Sequence, residues 1–199
     1  MSEFDLRART WDNDKMHIDR SAAIAKGIEK RILLQASMKV LEYGAGTGIL
    51  SFMLKDKFAE ITLMDNSQEM IKVCHEKCEY HHTNHIFPVV FDLEHQDLDQ
   101  QFDLIYTQMV MHHVDDTTAM ISKFYDLLNP EGYLAIADLF SEDGSFHGPG
   151  AKVHLGFDPE EMTKTLTEAG FKNVGYETCF VINRPSGQSF PVFLLTARK

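Results

Sequence analysis

The sequence predicts an α/β fold built on a mostly parallel sheet. Short apolar runs alternate with stretches of helical periodicity along the chain. A glycine-rich turn follows the first such run, as in strand–turn–helix units that bind nucleotides. No internal repeat or low-complexity stretch breaks the alternation. At 199 residues the chain suits one domain with one core. Residues 1–38 are expected to form a helical N-terminal lid and residues 39–199 the core.

The N-terminal segment reads as helical because Ile24, Ile28, Ile32 and Leu33 recur at helical spacing. It is expected to pack as a lid on the carboxyl edge of the sheet. The first strand is residues 39–43, followed by the glycines and a helix over about 49–57. A second strand covers 61–64 and ends at Asp65. Ser67 then caps a helix running to about Tyr80. The third strand, 87–91, ends at Asp92 and contains Pro88, which suits only an edge or a strand start. The fourth strand is 102–106. Asp115 or Asp116 caps a helix over 117–128, which the Asn129-Pro130-Glu131-Gly132 turn stops. The fifth strand, 133–138, ends at Asp138. Residues 141–150, rich in Gly, Ser and charge, read as a mobile loop over the site. Asp158 as N-cap and Pro159 at the first helical position start a helix that ends at Gly170. Strands over about 174–181 and 190–197 flank a turn at 183–187 and form an antiparallel hairpin.

A formal net charge of −11 disfavours a phosphate backbone as partner, so no nucleic acid is expected. Three cysteines, Cys74, Cys78 and Cys179, cannot build a disulfide framework and fit a reducing compartment. The opening Met1-Ser2-Glu3-Phe4-Asp5 lacks the basic and apolar segments of a signal peptide. No apolar run approaches the ~20 residues of a membrane helix. A cytoplasmic protein without membrane contact is expected, as a monomer or homodimer.

The turn Gly44-Ala45-Gly46-Thr47-Gly48 lets a ligand approach the backbone closely, with helix N-terminal amides facing it. Glu42 stands two residues before Gly44, where an acidic side chain would repel a pyrophosphate. It suits a phosphate-free ligand with a cationic group. Asp65, 17 residues beyond Gly48, can accept from ribose hydroxyls. Asp92 can accept from an adenine amine, with Leu93 against the ring. As alternatives, Asp65 is a turn or capping residue and Asp92 a solvated turn aspartate.

With these pieces, the chain resembles class I S-adenosylmethionine-dependent methyltransferases of the small-molecule branch, the ubiquinone and menaquinone methyltransferase group. The resemblance covers residues 37–199 and rests on residues 40–48, 63–66, 91–93, 102–114 and 127–138. It implies a Rossmann-like seven-stranded sheet in the order 3-2-1-4-5-7-6, with strand 7 antiparallel and helices on both faces. It implies S-adenosyl-L-methionine as cofactor and S-adenosyl-L-homocysteine as product. It also implies that Asn66 lies in the cofactor site and that Thr107, Gln108 and Met109 line the methionine moiety. The segment from Trp11 to Arg20 resembles one that covers the cofactor in related enzymes, which brings Trp11 and His17 toward the site.

Methyl transfer is an in-line displacement that alignment and desolvation can largely drive, so no side chain is obligatory. Candidates for a base are His112 and His113, after the fourth strand, and we favour His113. Asp138 can orient a base or bind a polar substrate. His147 and His154, in or beside the loop, are candidates for substrate contact, as is His17. Cys74, His75, Cys78, His81, His82 and His85 carry metal-ligand chemistry, but Cys74 and Cys78 also fit an amphipathic face with Met70 and Ile71; no metal is expected. The expected function is methyl transfer to a small, neutral or cationic molecule. The alternatives are a silent cofactor-binding or regulatory protein, a protein or RNA methyltransferase, and a dinucleotide-dependent oxidoreductase, which Glu42 disfavours.

Overall fold

A computed structural model describes residues 2–148 and 150–199. Met1, in the opening segment, and Pro149, in the expected loop 141–150, lie outside the described residues. The strands are β1 (Lys39–Tyr43), β2 (Glu60–Asp65), β3 (Ile86–Val90), β4 (Phe102–Gln108), β5 (Leu128–Leu139), β6 (Lys172–Asn183) and β7 (Ser189–Arg198). They form one sheet in the order β3-β2-β1-β4-β5-β7-β6. The first five run parallel, and β7 pairs antiparallel with both β5 and β6. The expected strand order is therefore the observed one. Pro88 sits in β3, which pairs only with β2, so its missing N–H interrupts an edge rather than an interior ladder.

The helices are α1 (Glu3–Arg7), α2 (Lys15–Arg31), α3 (Ile49–Leu54), α4 (Gln68–Tyr80), α5 (Thr117–Leu127) and α6 (Pro159–Glu168). Ser67, Asp116 and Asp158 cap α4, α5 and α6 through side-chain oxygens, each satisfying an amide that the helix leaves free. Val40, Leu104 and Tyr106 pack on one face of the sheet with residues of α2, α3 and α4. Leu41, Phe102 and Ile105 pack on the other with residues of α5 and α6. Strand alternation sends neighbouring residues to opposite faces, so both are covered and β1 is apolar almost throughout.

Three expectations change. The segment before β1 is mostly not a lid. Ile24, Ala25 and Ile28 of α2 are buried against the sheet face, and a Cβ at Gly27 would stand 2.5 Å from Leu194 Cδ2. The apolar stripe of α2 is wide enough to make it a core layer. Leu33, beyond the helix end, is 73% exposed. Only α1, the 3-10 turn Ala8–Asn13 and the first turns of α2, with Met16, His17 and Arg20, reach the cavity at the strand ends. Next, Asn129–Gly132 does not precede β5 but belongs to its start: Leu128 pairs with Phe102, the register then slips, and Glu131 adopts φ +69°. The proline-containing turn is absorbed as a bulge. Finally, the helix after the glycines ends at Leu54 and tightens into a 3-10 turn over Lys55–Lys57.

All three thiols are free, with Cys74 and Cys78 buried. Among the described residues no helix is long and apolar enough to cross a membrane.

Candidate active site

A cavity of about 1030 Å³ opens at the carboxyl ends of the parallel strands, where open α/β sheets bind ligands. Its lining joins the glycine turn, the ends of β2 and β3, the turn after β4, the α1 region and residues 146–147, 151–153 and 182–185.

Gly44, Gly46 and Gly48 all adopt positive φ, at 65°, 54° and 74°. A Cβ at Gly44 would lie 2.4 Å from Val110 Cγ2, so a side chain there would collide. At Gly46 a Cβ would meet nothing within 4 Å, which leaves open space over the turn. Asp65 Oδ2 accepts from the Gly46 amide at 2.7 Å and Oδ1 from the Ser67 amide at 2.8 Å. Burial raises the Asp65 pKa, and these amides oppose it. Asp92 accepts from the Glu94 amide at 3.1 Å and pairs with His95 at 2.9 Å. Ala45, Asn66 and Leu93 also line the cavity.

Glu42, Thr47, Gly48 and Thr107 do not. Glu42 is fully buried behind the turn, because it shares a strand face with Val40 and so points toward α3. There its Oε2 accepts from the Ser51 amide at 3.2 Å and the Ser51 hydroxyl at 2.5 Å, while Oε1 has no hydrogen-bond partner among the described residues. Burial pushes its pKa up to about 7. Thr47 Oγ1 donates to Asp12 at 2.5 Å. Thr107 Oγ1 is buried without a partner.

The α1 region is latched beside this end. Ser67 Oγ donates to Asp5 at 2.6 Å, which holds the Asp5 carboxyl down at about 2. Lys77 donates to Asp12 at 2.9 Å, and Arg9 pairs with Glu76. His17 stacks on Trp11 with centroids 4.2 Å apart and bonds the Trp11 carbonyl through Nδ1. Burial lowers the His17 pKa. Trp11 and His17 both line the cavity, as the sequence leads one to expect.

The lining also holds a buried cation that the sequence does not single out. Arg20 is 6% exposed, its Nε lacks a partner among the described residues, and burial lowers its pKa to about 10. The signal was present in the sequence: Arg20 continues the Ile24–Ile28–Ile32 stripe at four-residue steps. A cation that extends a buried apolar face marks a polar cavity against that face. Beside it, Ser21 Oγ donates to Gln108 Oε1 at 3.0 Å and so positions Gln108 in the lining.

The other end of the cavity holds histidines. His112 pairs through Nδ1 with Asp138 Oδ1 at 2.6 Å, and its amide donates to Asp138 Oδ2 at 3.2 Å. His113 and His147 pack against His112, with ring centroids 4.2 and 4.8 Å from it. Burial, then the neighbouring His112 and His147, depress the His113 pKa to about 4. Burial also lowers that of His147, whose Nε2 is buried without a partner. Phe4 of α1 meets His113 edge-on at 5.3 Å. Asp138 fixes the orientation of His112 rather than of the favoured His113, because β5 ends beside the turn that follows β4. Asp138 itself is fully buried and contacts His112 from behind.

His154 leaves the candidate list. Its Nε2 bonds the Val114 carbonyl at 2.9 Å and its amide the His112 carbonyl at 2.8 Å, so it props the His112 turn from outside the cavity. The Cys74–His85 group does not converge either. Cys74 and Cys78 are buried with Sγ toward the Gly46 and Ile86 carbonyls, and His85 Nε2 bonds the Lys55 carbonyl.

Residues 16–176 match the model of a family described as methyltransferase domain. An uncharacterized methyltransferase of Schizosaccharomyces pombe is 28% identical over 156 residues, covering 70% of this chain and 55% of its own. The malonyl-(acyl-carrier protein) O-methyltransferase of Priestia megaterium is 28% identical over 149 residues, 70% of this chain and 52% of its own. The chain spans about half the length of these curated relatives. Phosphoethanolamine N-methyltransferase 2 of Haemonchus contortus, solved with S-adenosyl-L-methionine, superposes with a TM-score of 0.74 at 14% identity, over all of this chain and 60% of that one.

Proposed function

The chain belongs to the methyltransferase-domain family, and from that premise we propose that it transfers a methyl group from S-adenosyl-L-methionine to a small-molecule acceptor. The observation that carries this reading is the charge layout of one cavity. Asp65 and Asp92 stand at the ends of β2 and β3, and Arg20 is the buried guanidinium of the same lining. That set suits a ligand with a ribosyl-adenine at one end and a carboxylate at the other. The open space over Gly46 and Arg20 Nε, which has no partner among the described residues, fit the same molecule.

When bound, this cofactor supplies an electrophilic sulfonium methyl. Asp65 and Asn66 would take the ribose, and Asp92 and Leu93 the adenine. Arg20 would hold the carboxylate, with Gln108 beside it. Glu42 acts from behind the turn as a second layer. Ligand pockets run to about 1,000 Å³ at their largest, so this cavity has room for a small acceptor as well.

The acceptor then meets the histidines. His112, oriented by Asp138, takes the proton of an acceptor that arrives protonated. His113 and His147 border the acceptor, and Phe4, Trp11 and His17 exclude water from above. Incubation with methyl-labelled S-adenosyl-L-methionine and a panel of hydroxyl, thiol and amine acceptors tests the reading. Label is expected in one small-molecule class. Label only in protein or RNA, or cofactor binding with no transfer to any class, would overturn it.

A further inference from the structure

We propose that His112, His113 and His147 form a site for one first-row divalent cation of borderline softness, Zn²⁺ being the natural candidate and Co²⁺ its spectroscopic substitute. The ring nitrogens that these residues offer all lie within 4.8 Å of one another. Three imidazoles are a recurring ligand set for a cation that keeps an open position for a further ligand. The open position here is in the cavity that His112, His113 and His147 line.

Two further observations point to a ligand rather than to packing. The first is the arrangement behind His112. Its Nδ1 faces Asp138 Oδ1 at 2.6 Å, while Asp138 also accepts from the Leu139 amide at 2.7 Å and the His112 amide at 3.2 Å. A carboxylate so fixed locks the ring orientation and turns Nε2 away from itself, as outer carboxylates do for metal-bound histidines. The second is His147 Nε2, buried without a partner among the described residues. An unsatisfied buried polar atom is costly, and a cation would remove that cost. Arg184, which also lines the cavity, turns its guanidinium to the Ser145 and Phe146 carbonyls.

A bound ion sets ligand nitrogens about 3.4 Å apart, from Zn–N bonds of about 2.0–2.1 Å at tetrahedral angles. The histidines must therefore draw in by roughly an ångström. His147 can do so, because it stands in an irregular segment between Gly144 and Gly148, both at positive φ.

The use of this site, though not its existence, rests on the methyl-transfer reading. With the cation in place, His112 is a ligand and no longer the proton acceptor. An acceptor hydroxyl or thiol coordinates through oxygen or sulfur, its O–H or S–H bond breaks, the electron pair stays behind, and the proton passes to water. The acceptor class is then an alcohol, phenol or thiol that coordinates through a single atom.

The test uses the full chain, free of any histidine tag and stripped with chelator, titrated with Co²⁺ in the visible range and with Zn²⁺ by calorimetry. One ion per chain is expected. His147→Ala and His113→Gln should each weaken binding at least tenfold, and Asp138→Asn about 10- to 100-fold. Two histidine variants keep the test open should one of them fail to fold. Changing the exposed His81 and His82 together to Ala should leave binding as in the parent chain. No ion bound, or binding lost with His81 and His82 but indifferent to His147 and His113, would overturn the proposal. A stripped chain that transfers methyl groups at full rate would overturn the site's use in the reaction and leave methyl transfer standing. Tight Co²⁺ binding with no affinity for S-adenosyl-L-methionine would do the reverse.

Discussion

At one end of the cavity, Gly44, Gly46, Asp65 and Asp92 stand at the tips of adjacent parallel strands, each placed by its own strand–turn spacing. At the other, His112, His147 and Phe4 come from three segments far apart in the chain and meet only through packing. The first end is fixed by local sequence and by amide hydrogen bonds from Gly46 and Ser67 to Asp65. The second is fixed by tertiary contacts of aromatic rings and one buried carboxylate. A scaffold of this kind can hold one cofactor while its acceptor end changes with each loop, as expected where function is grafted on a common fold.

If the two ends are separable, His112→Ala should act on one alone. Turnover should fall about a hundred- to ten-thousand-fold, with S-adenosylhomocysteine affinity within a few-fold of the parent. Steady-state rates and calorimetry check this, and an equal loss in affinity would break the separation.

Glu42 tests the cofactor end from behind. Its carboxyl titrates near 4.5 when free and near 7 in the fold, because burial opposes the charge. The folded state therefore binds more protons between these values, so stability is fully present below the lower one and is lost as pH rises through the upper one. Glu42→Gln should remove that loss, stabilising the chain above neutral pH by on the order of 3 kcal/mol and giving no gain below about pH 4. Denaturant melts across pH measure it.

Arg20→Met should weaken S-adenosylmethionine binding about 10- to 100-fold, the value of hydrogen bonds to a charged group. Without ligand the same change should raise the melting temperature, because it removes a buried cation whose Nε has no partner. Thermal shift with and without ligand separates the two effects. Trp11→Ala should have the smallest effect, about 2- to 10-fold on cofactor or acceptor affinity, since it removes one ring stack at the boundary between the ends.

The same division governs what the sequence reveals. The strand order came from the resemblance, whereas Pro88 marked the edge strand, and the spacing of the glycines, Asp65 and Asp92 put these residues at the strand ends that line one cavity, all through short-range rules. Glu42 stands out by its charge before the glycines, but its direction follows from the alternation of faces along β1 and not from the turn. Arg20 is legible as a cation on an apolar stripe, but only the packing of α2 on the sheet shows that the stripe faces the core. The meeting of His147 with His112 and His113 has no local signature, since it depends on how residues 141–148 fold back over the sheet. The Cys74–His85 group, by contrast, has conspicuous spacing and no convergence, because α4 turns its cysteines into the core.

The most direct measurement is a calorimetric titration of the full chain with S-adenosylhomocysteine, run beside NAD. One S-adenosylhomocysteine bound per chain, with no heat from NAD, is the result predicted from Asp65, Asp92 and Arg20 lining one cavity. No binding of S-adenosylhomocysteine, or tight binding of NAD in its place, would contradict it.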